Sequence, residues 1–239
     1  MSKAAPLIGR LNAALASSIN DEGRVDYSLL ERSHTIEEFS GWLVAFDRKS
    51  LESVNEKIVF WINAYNMLVI SSVIERLRKN PKYARTGNQG RLQRLRFFYK
   101  TKHEIGGKKY SFGQIEKILR SALDPRVHFA MCCASLSCPN LRKQLYTVEH
   151  LDMELDEAAR MFVRSPKGLE LHEGSRSLRL SPIFDWFKKD FEIESGGVLS
   201  FVEKYLEKDR KGFLKANRSE MKVSFLPYDW GLNIKSSID

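Results

Sequence analysis

Asn55-Glu56-Lys57-Ile58-Val59-Phe60-Trp61-Ile62-Asn63-Ala64-Tyr65-Asn66-Met67-Leu68-Val69-Ile70-Ser71-Ser72-Val73-Ile74-Glu75-Arg76-Leu77 is the stretch whose reading decides the fold. Apolar residues occupy most faces of a helix drawn through it, and a helix apolar nearly all round is buried on all sides. Asn55 can cap its start and Lys79-Asn80-Pro81 stops it. The stretch therefore predicts a long central helix on which the rest of the chain packs. Asn63, Tyr65, Asn66, Ser71 and Ser72 interrupt the apolar run, and no unbroken run approaches the ~20 residues that cross a bilayer. Asn63 and Asn66 fall on neighbouring positions of one face. Buried asparagines are costly unless their hydrogen bonds are met, so the pair either satisfies loop backbone, orients a catalytic group or binds a substrate amide.

On the N-terminal side, Leu7, Ile8, Leu11, Ala14 and Leu15 have helical spacing over residues 5–19. A short helix follows Val25-Asp26-Tyr27, and residues 36–47 form another. On the C-terminal side, Gly106-Gly107 sits between strands 102–105 and 108–110. Ser111 with Gln114 is a capping-box pattern opening a helix over 112–123. Residues 126–132 read as a buried strand and 147–163 as a helix. A second hairpin is predicted at 169–172 and 177–180, then helices over 182–189 and 198–208 and a strand at 223–226. Helices outnumber strands, and no repeat, linker or change of composition divides the chain. The expected fold is α+β: a mainly helical single domain over residues 1–239, with a small antiparallel sheet and a central buried helix.

With 43% hydrophobic and 29% charged residues, the composition is that of an ordinary globular protein and not of a disordered or fibrous one. Three cysteines cannot all pair with one another, which excludes a disulfide scaffold. Lys3 followed by Pro6, Gly9 and Arg10 stands where a signal peptide needs an unbroken apolar segment. The chain as written reads as cytoplasmic, or as secreted or periplasmic if a signal has been removed. Its charge is uneven: ten basic residues and no acidic one lie between Arg76 and Lys102, leaving 29 Lys and Arg against 30 Asp and Glu elsewhere. The net +9 thus belongs to this one segment. It is either a solvated face or a surface for an anionic partner at Arg76, Arg78, Lys79, Lys82, Arg85, Arg91, Arg94 and Arg96. Tyr83, Phe97, Phe98 and Tyr99 lie among these residues, but no named nucleic-acid motif does.

Chemistry concentrates in His128-Phe129-Ala130-Met131-Cys132-Cys133-Ala134-Ser135-Leu136-Ser137-Cys138-Pro139-Asn140-Leu141, which holds all three cysteines. Along a strand, His128, Ala130 and Cys132 share one face. Cys138 before Pro139 is predicted at the N-cap of a short helix through Gln144, where free N–H groups favour a thiolate. In the nucleophile reading Cys138 attacks and His128 moves the proton. Asn63, Asn66 or Asp229 orients the histidine, and Ser135 or backbone N–H groups hold the oxyanion. In the structural reading Cys132 is a small core hydrophobe and Cys133 with Cys138 forms a bridge in an oxidising compartment. A zinc site from His128, Cys133 and Cys138 lacks a fourth ligand and the usual spacings; a redox role belongs to the same third class. No cofactor is expected. Glu116 and Arg120 are placed to pair along one helix, with Glu116 a lesser candidate third member of the site. Asp185 and Asp190 are too far round their helix to act as a pair. Asp229, in a polar and aromatic tail with Tyr228, Trp230 and Asn233, either fixes a loop or orients His128. His34, His103, His150 and His172 read as surface residues.

The cysteine stretch resembles the signature of domain-of-unknown-function family number 547. Phe60-Trp-Ile-Asn-Ala-Tyr-Asn66, Leu180-Ser-Pro-Ile-Phe-Asp-Trp186 with Asp190-Phe191, and Tyr228-Asp-Trp-Gly-Leu-Asn233 resemble its other motifs, as do Ile115-Glu116 with Leu119-Arg120 and Asp124-Pro-Arg-Val-His128. The resemblance extends over about residues 25–233 and implies one domain. It brings no activity with it; it implies that the shared cysteines are Cys133 and Cys138, with Cys132 particular to this chain. The function expected is a thiol-dependent hydrolase or acyl transferase of unknown substrate, with a Cys nucleophile and a His base. The alternative is a non-catalytic binding module with a structural cysteine loop and a basic patch.

Overall fold

A computed structural model describes residues 5–235; Lys3 and both ends of the expected 1–239 domain lie outside the described residues. The decisive stretch is one helix, α4 (Val54–Lys79), preceded by α1 (Ala5–Ser18), α2 (Tyr27–Arg32) and α3 (Thr35–Ala45). Its cap is Ser53 and not Asn55: the Glu56 N–H donates to Ser53 Oγ at 3.1 Å and the Ser53 N–H to Glu56 Oε2 at 2.7 Å. This reciprocal box satisfies two terminal donors, which Asn55 inside the first turn could not do. Every residue from Ile58 to Ile74 except Ser71 is buried. By length and composition α4 would pass for a membrane span, a correction to the reading of its polar interruptions. Within this fold α2, α3 and a later helix over Phe112–Arg120 cover it. Trp42 and Phe46 of the α3 end close over Phe60, with Phe46 and Phe60 stacked at 4.5 Å.

The basic segment is helical on both sides of the loop around Gly87 and Gly90. It forms α5 (Tyr83–Thr86), α6 (Arg91–Leu95) and a π-helical turn, Arg96–Lys100, that continues α6. That wider turn carries Phe97 inward, fully buried and stacked on Phe112 at 5.2 Å. The hairpin follows as β1 (His103–Ile105) and β2 (Lys108–Tyr110), then α7 (Phe112–Arg120) from the Ser111–Gln114 box. His103 is not a surface residue: its ring packs on Phe112 at 4.7 Å and Nε2 lies 3.3 Å from Ser72 Oγ.

Residues 126–132 are not a strand. Asp124 Oδ1 accepts from the Arg126 N–H at 2.9 Å and its carbonyl from the Val127 N–H at 3.2 Å, starting a one-turn helix, α8 (Val127–Ala130). All four residues of α8 are buried, and a short segment buried all round has no periodicity by which to tell helix from strand. The helix expected from Cys138 to Gln144 does not form either. Just beyond it, side chains from elsewhere hold the chain: Asn12 Oδ1 accepts from the Leu145 N–H and Asn63 Oδ1 from the Tyr146 N–H, both at 2.9 Å.

Beyond α9 (Leu151–Val163), β3 (Leu169–His172) and β4 (Ser177–Leu180) pair antiparallel as expected. The chain then runs through α10 (Ile183–Trp186), α11 (Lys188–Ser195), α12 (Val198–Tyr205) and α13 (Lys208–Ala216) to β5 (Lys222–Phe225). β5 lies parallel to β4, so this second sheet is mixed, while β1 and β2 form the small antiparallel sheet expected. The intervening helices supply the crossover that a parallel pair requires. Two cores result. One surrounds α4; the other is built from Phe129, Phe162, Phe184, Phe191, Phe201 and their neighbours. The α8 turn straddles them, with Val127 and Ala130 in the first and Phe129 in the second. The functional residues collect along this seam.

Candidate functional site

The central helix fixes the cysteine loop through backbone. Asn66 Nδ2 donates to the Ala130 carbonyl and Asn66 Oδ1 accepts from the Cys132 N–H, both at 2.9 Å. Asn63 does the same for the two backbone groups of Tyr146, again at 2.9 Å. Each amide thus spends both ends on a loop, and neither touches His128. Between the clamps Ala134 adopts φ +63°, a left-handed conformation that costs a non-glycine residue roughly 1–2 kcal/mol. Returning C-terminal chain holds it there. The Asn233 N–H donates to the Ala134 carbonyl at 3.0 Å, the Leu136 N–H to the Gly231 carbonyl at 2.8 Å, and the Asp229 N–H to Ser137 Oγ at 2.9 Å.

The left-handed turn brings Cys133 and Ser135, on either side of Ala134, onto one spot. Ser135 Oγ lies 2.8 Å from Cys133 Sγ, and Tyr228 Oη lies 3.4 Å away. Cys138 folds back beneath: its sulfur accepts the Cys133 N–H at 2.8 Å and lies against the thiols of both Cys132 and Cys133. All three cysteines are free, so the Cys133–Cys138 bridge is not formed. Burial would raise the Cys133 thiol, but hydrogen bonds from Cys138, Ser135 and Tyr228 outweigh it and hold it lowered at about 7. Burial, with its neighbouring thiols, pushes the Cys138 thiol up. Cys133 is half-buried while Cys138 is 4% exposed. The expectation of a reactive Cys138 is therefore corrected: without the helix there is no N-cap, and the thiolate character belongs to Cys133.

Cys133 opens into a cleft of about 470 Å³ walled by Tyr65, Phe98, Trp186, Tyr228 and Trp230, with Glu116, Arg120 and His128 in its lining. The aromatic wall is continuous: Trp186 and Trp230 stack at 5.7 Å, and Tyr228 meets Trp230 at 4.5 Å. A larger cavity of about 690 Å³, lined by Asn140, Arg142 and Lys167 among others, contains none of the cysteines. Burial raises the Glu116 carboxyl, Arg120 opposing it. The expected Glu116–Arg120 pair spans 4.0 Å, but the closer partner of Arg120 is Asp190, reached bidentately at 2.7 and 2.9 Å.

Asp190 also binds His128, with Nε2 at 2.8 Å from Oδ2. Burial lowers the His128 pKa to about 4 against the opposing pull of Asp190, so the ring is neutral at pH 7. Asp190, lowered chiefly by its Arg120 hydrogen bonds, is an ionised acceptor, which places the ring proton on Nε2. Nδ1 is buried with no partner, and Phe187 covers the ring at 4.0 Å. The base-and-orienter half of a relay is present, but neither ring nitrogen bonds a cysteine sulfur. Asp229 does not orient His128: its Oδ1 accepts from the Gly231 N–H at 2.8 Å and fixes the tail. Among the described residues no group of three or more His, Cys, Asp or Glu is arranged to hold a metal ion.

The structure thus brings Cys133, Cys138, Glu116, Arg120 and His128 to one cleft, with Ser135 against the Cys133 sulfur, and leaves Asn63, Asn66 and Asp229 in supporting positions. Sequence reasoning missed Tyr65, Tyr228 and Trp186 as parts of the cleft and Asp190 as the partner of its Arg120 and His128. Their signal was the resemblance itself, since Tyr65, Trp186, Asp190 and Tyr228 all stand in its separated motifs. No curated protein and no solved structure matches the chain. Residues 49–163, which include the cysteine loop, Asn63, Asn66, Glu116, Arg120 and His128 but stop short of Asp190 and Tyr228, match the model of the family described as "Protein of unknown function, DUF547", and over that segment the chain resembles this family.

Proposed function

We propose that the cleft carries thiol-dependent hydrolysis or acyl transfer with Cys133 as the nucleophile. The observation that carries the reading is the Cys133 thiol itself, half-buried at an aromatic cleft and held near pKa 7 by hydrogen bonds from Cys138, Ser135 and Tyr228. A thiol in that range is substantially ionised at neutral pH and needs no adjacent base to be activated, which accommodates a His128 whose nitrogens do not reach it. In the step proposed, the thiolate attacks an acyl carbonyl, the bond to the leaving group breaks, and the leaving group takes a proton from Glu116. Glu116 carboxylate then takes a proton from water or an acceptor alcohol or amine as that nucleophile attacks the thioester. The acyl product departs, Cys133 returns as thiolate and Glu116 as acid. Burial raises the Glu116 carboxyl and so favours its protonated form, the direction a general acid requires. Tyr65, which lines the cleft with both groups, and the ring wall would exclude water and position the acyl group.

The test is covalent trapping. The protein is incubated with p-nitrophenyl esters and alkyl thioesters of increasing chain length and examined by intact and peptide mass spectrometry. An acyl adduct on Cys133 is expected, absent in Cys133→Ala and retained in Cys138→Ala. Glu116→Gln should slow deacylation and let the adduct accumulate. No adduct on Cys133 from any ester or thioester would overturn the proposal and leave the cleft as a non-catalytic binding site.

A further inference from the structure

The helical segment Arg91–Lys100 is inverted in polarity. Leu92 is 70% exposed, Leu95 45% and Tyr99 56%, and their spacing puts them on one stripe. Three of the twelve strongly exposed large apolar residues among the described ones fall within these ten positions, and a fourth, Trp186 at 46%, stands in the cleft wall with Tyr99. Cations flank the stripe. Of the basic segment, Arg78 and Lys79 pair with Glu31 and Glu75, Arg76 lies over the Phe97 ring at 4.7 Å, and Arg94 lies over Trp230 at 4.8 Å. The remaining six cations of the segment, Lys82, Arg85, Arg91, Arg96, Lys100 and Lys102, are exposed and make no ion pair among the described residues, although Lys102 donates to Gln114 Oε1 at 2.7 Å. Of the anionic-partner surface read from the sequence, Lys82, Arg85, Arg91 and Arg96 thus stay unpaired, and the surface gains Lys100 and an apolar centre.

Charge without an apolar stripe would suit a polyanion, and a stripe without charge would suit an apolar protein face. Leucine and tyrosine at the level of the headgroups, with arginine and lysine reaching outward to phosphates, are the composition of a helix lying in a bilayer interface. Arg94, Phe98 and Tyr99 of the same segment also line the cleft, so a surface docked through the stripe would face the cleft mouth. We infer that Leu92, Leu95 and Tyr99, flanked in the same segment by Arg91, Arg96 and Lys100, form a docking face for an anionic phospholipid surface. The inference rests on the outer surface alone and not on the thiol chemistry.

The full chain is sedimented with vesicles of phosphatidylcholine, and with vesicles of two parts phosphatidylcholine to one of phosphatidylglycerol. Binding to the anionic vesicles only, weakened by added salt, is expected. Arg91→Gln with Arg96→Gln and Lys100→Gln should weaken it by roughly tenfold or more, because each basic residue near such a surface contributes. Leu92→Ser with Leu95→Ser should weaken it comparably while urea unfolding stays close to wild type. Cys133→Ser should bind as wild type, which separates this face from the thiol site. Absence of binding to the anionic vesicles would overturn the inference. So would binding that falls in the charge variant but is untouched in the leucine variant, which would mean that the apolar stripe does not enter the surface.

Discussion

Replacing Asn66 with alanine removes a donor to the Ala130 carbonyl and an acceptor for the Cys132 N–H, each at 2.9 Å and both in the buried interior. A buried backbone group left without a partner costs about 1–3 kcal/mol, so the two together cost about 2–6 kcal/mol. The middle of that range, about 4 kcal/mol, is a large fraction of the 5–15 kcal/mol typical of folded proteins. For a chain of this size it corresponds to a fall in Tm of roughly 8–16 °C. Urea unfolding followed by circular dichroism would measure the loss, and alkylation of the native protein would report the loop, since freeing the Cys132 N–H should expose the Cys132 thiol. Asn66→Asp should cost at least as much, because it keeps the acceptor but sets a buried charge against the Ala130 carbonyl. Asn63→Ala is the control: a similar stability loss through Tyr146, without faster labelling of Cys132. A loss below about 1 kcal/mol in Asn66→Ala, with labelling unchanged, would refute the reasoning that the asparagine clamp holds the cysteine loop.

Gly87 sits at φ +48°, and a Cβ there would lie 2.6 Å from the Leu232 nitrogen and 2.7 Å from the Trp230 carbonyl. Gly87→Ala should cost about 2 kcal/mol or more and shift tryptophan emission to the red as Trp230 loosens; an unchanged urea midpoint would count against this close approach. Acidification should destabilise the fold in a defined window. His128 and His103, both lowered by burial from 6.5 to about 4, take up protons more readily unfolded. Their contribution is complete above pH 6.5, declines as pH falls towards 4, and amounts to up to about 3 kcal/mol each. Unfolding free energies that do not fall between pH 7 and 4 would contradict it. Asp156, lowered to about 2 by Tyr205, Arg126 and Lys204 hydrogen bonds against its burial, adds a further loss as pH falls from 3.8 to 2.

The central helix was legible because its apolar residues cover every face, a pattern that few alternatives share. Both hairpins and the Ser111 box were legible because turn and capping chemistry is local. What failed was decided at a distance. The α8 turn had no periodicity to read. The segment after Cys138 has helix-start chemistry but forms no helix, leading instead to Leu145 and Tyr146, whose N–H groups donate to distant side chains of α1 and α4. The parallel placement of β5 depends on a crossover through four helices. The nucleophile we propose, Cys133, differs from the one read from the sequence for the same reason. Local rules favoured Cys138, whereas the position of Cys133 depends on Tyr228, 95 residues away, and on the tail that holds Ala134 in its left-handed turn. The two asparagines could be read as buried and bonded from their helix alone, but their partners could not.

The most direct test of the account is the pH dependence of alkylation of the three thiols in the native protein, resolved by peptide mass spectrometry. Cys133 should label fastest, with a midpoint near pH 7, while Cys132 and Cys138 label slowly across the range. Tyr228→Phe, which removes one hydrogen bond to the Cys133 sulfur, should move that midpoint upward. Fastest labelling at Cys138, or equally slow labelling of all three with midpoints in the ordinary thiol range, would contradict the assignment of the reactive thiolate to Cys133.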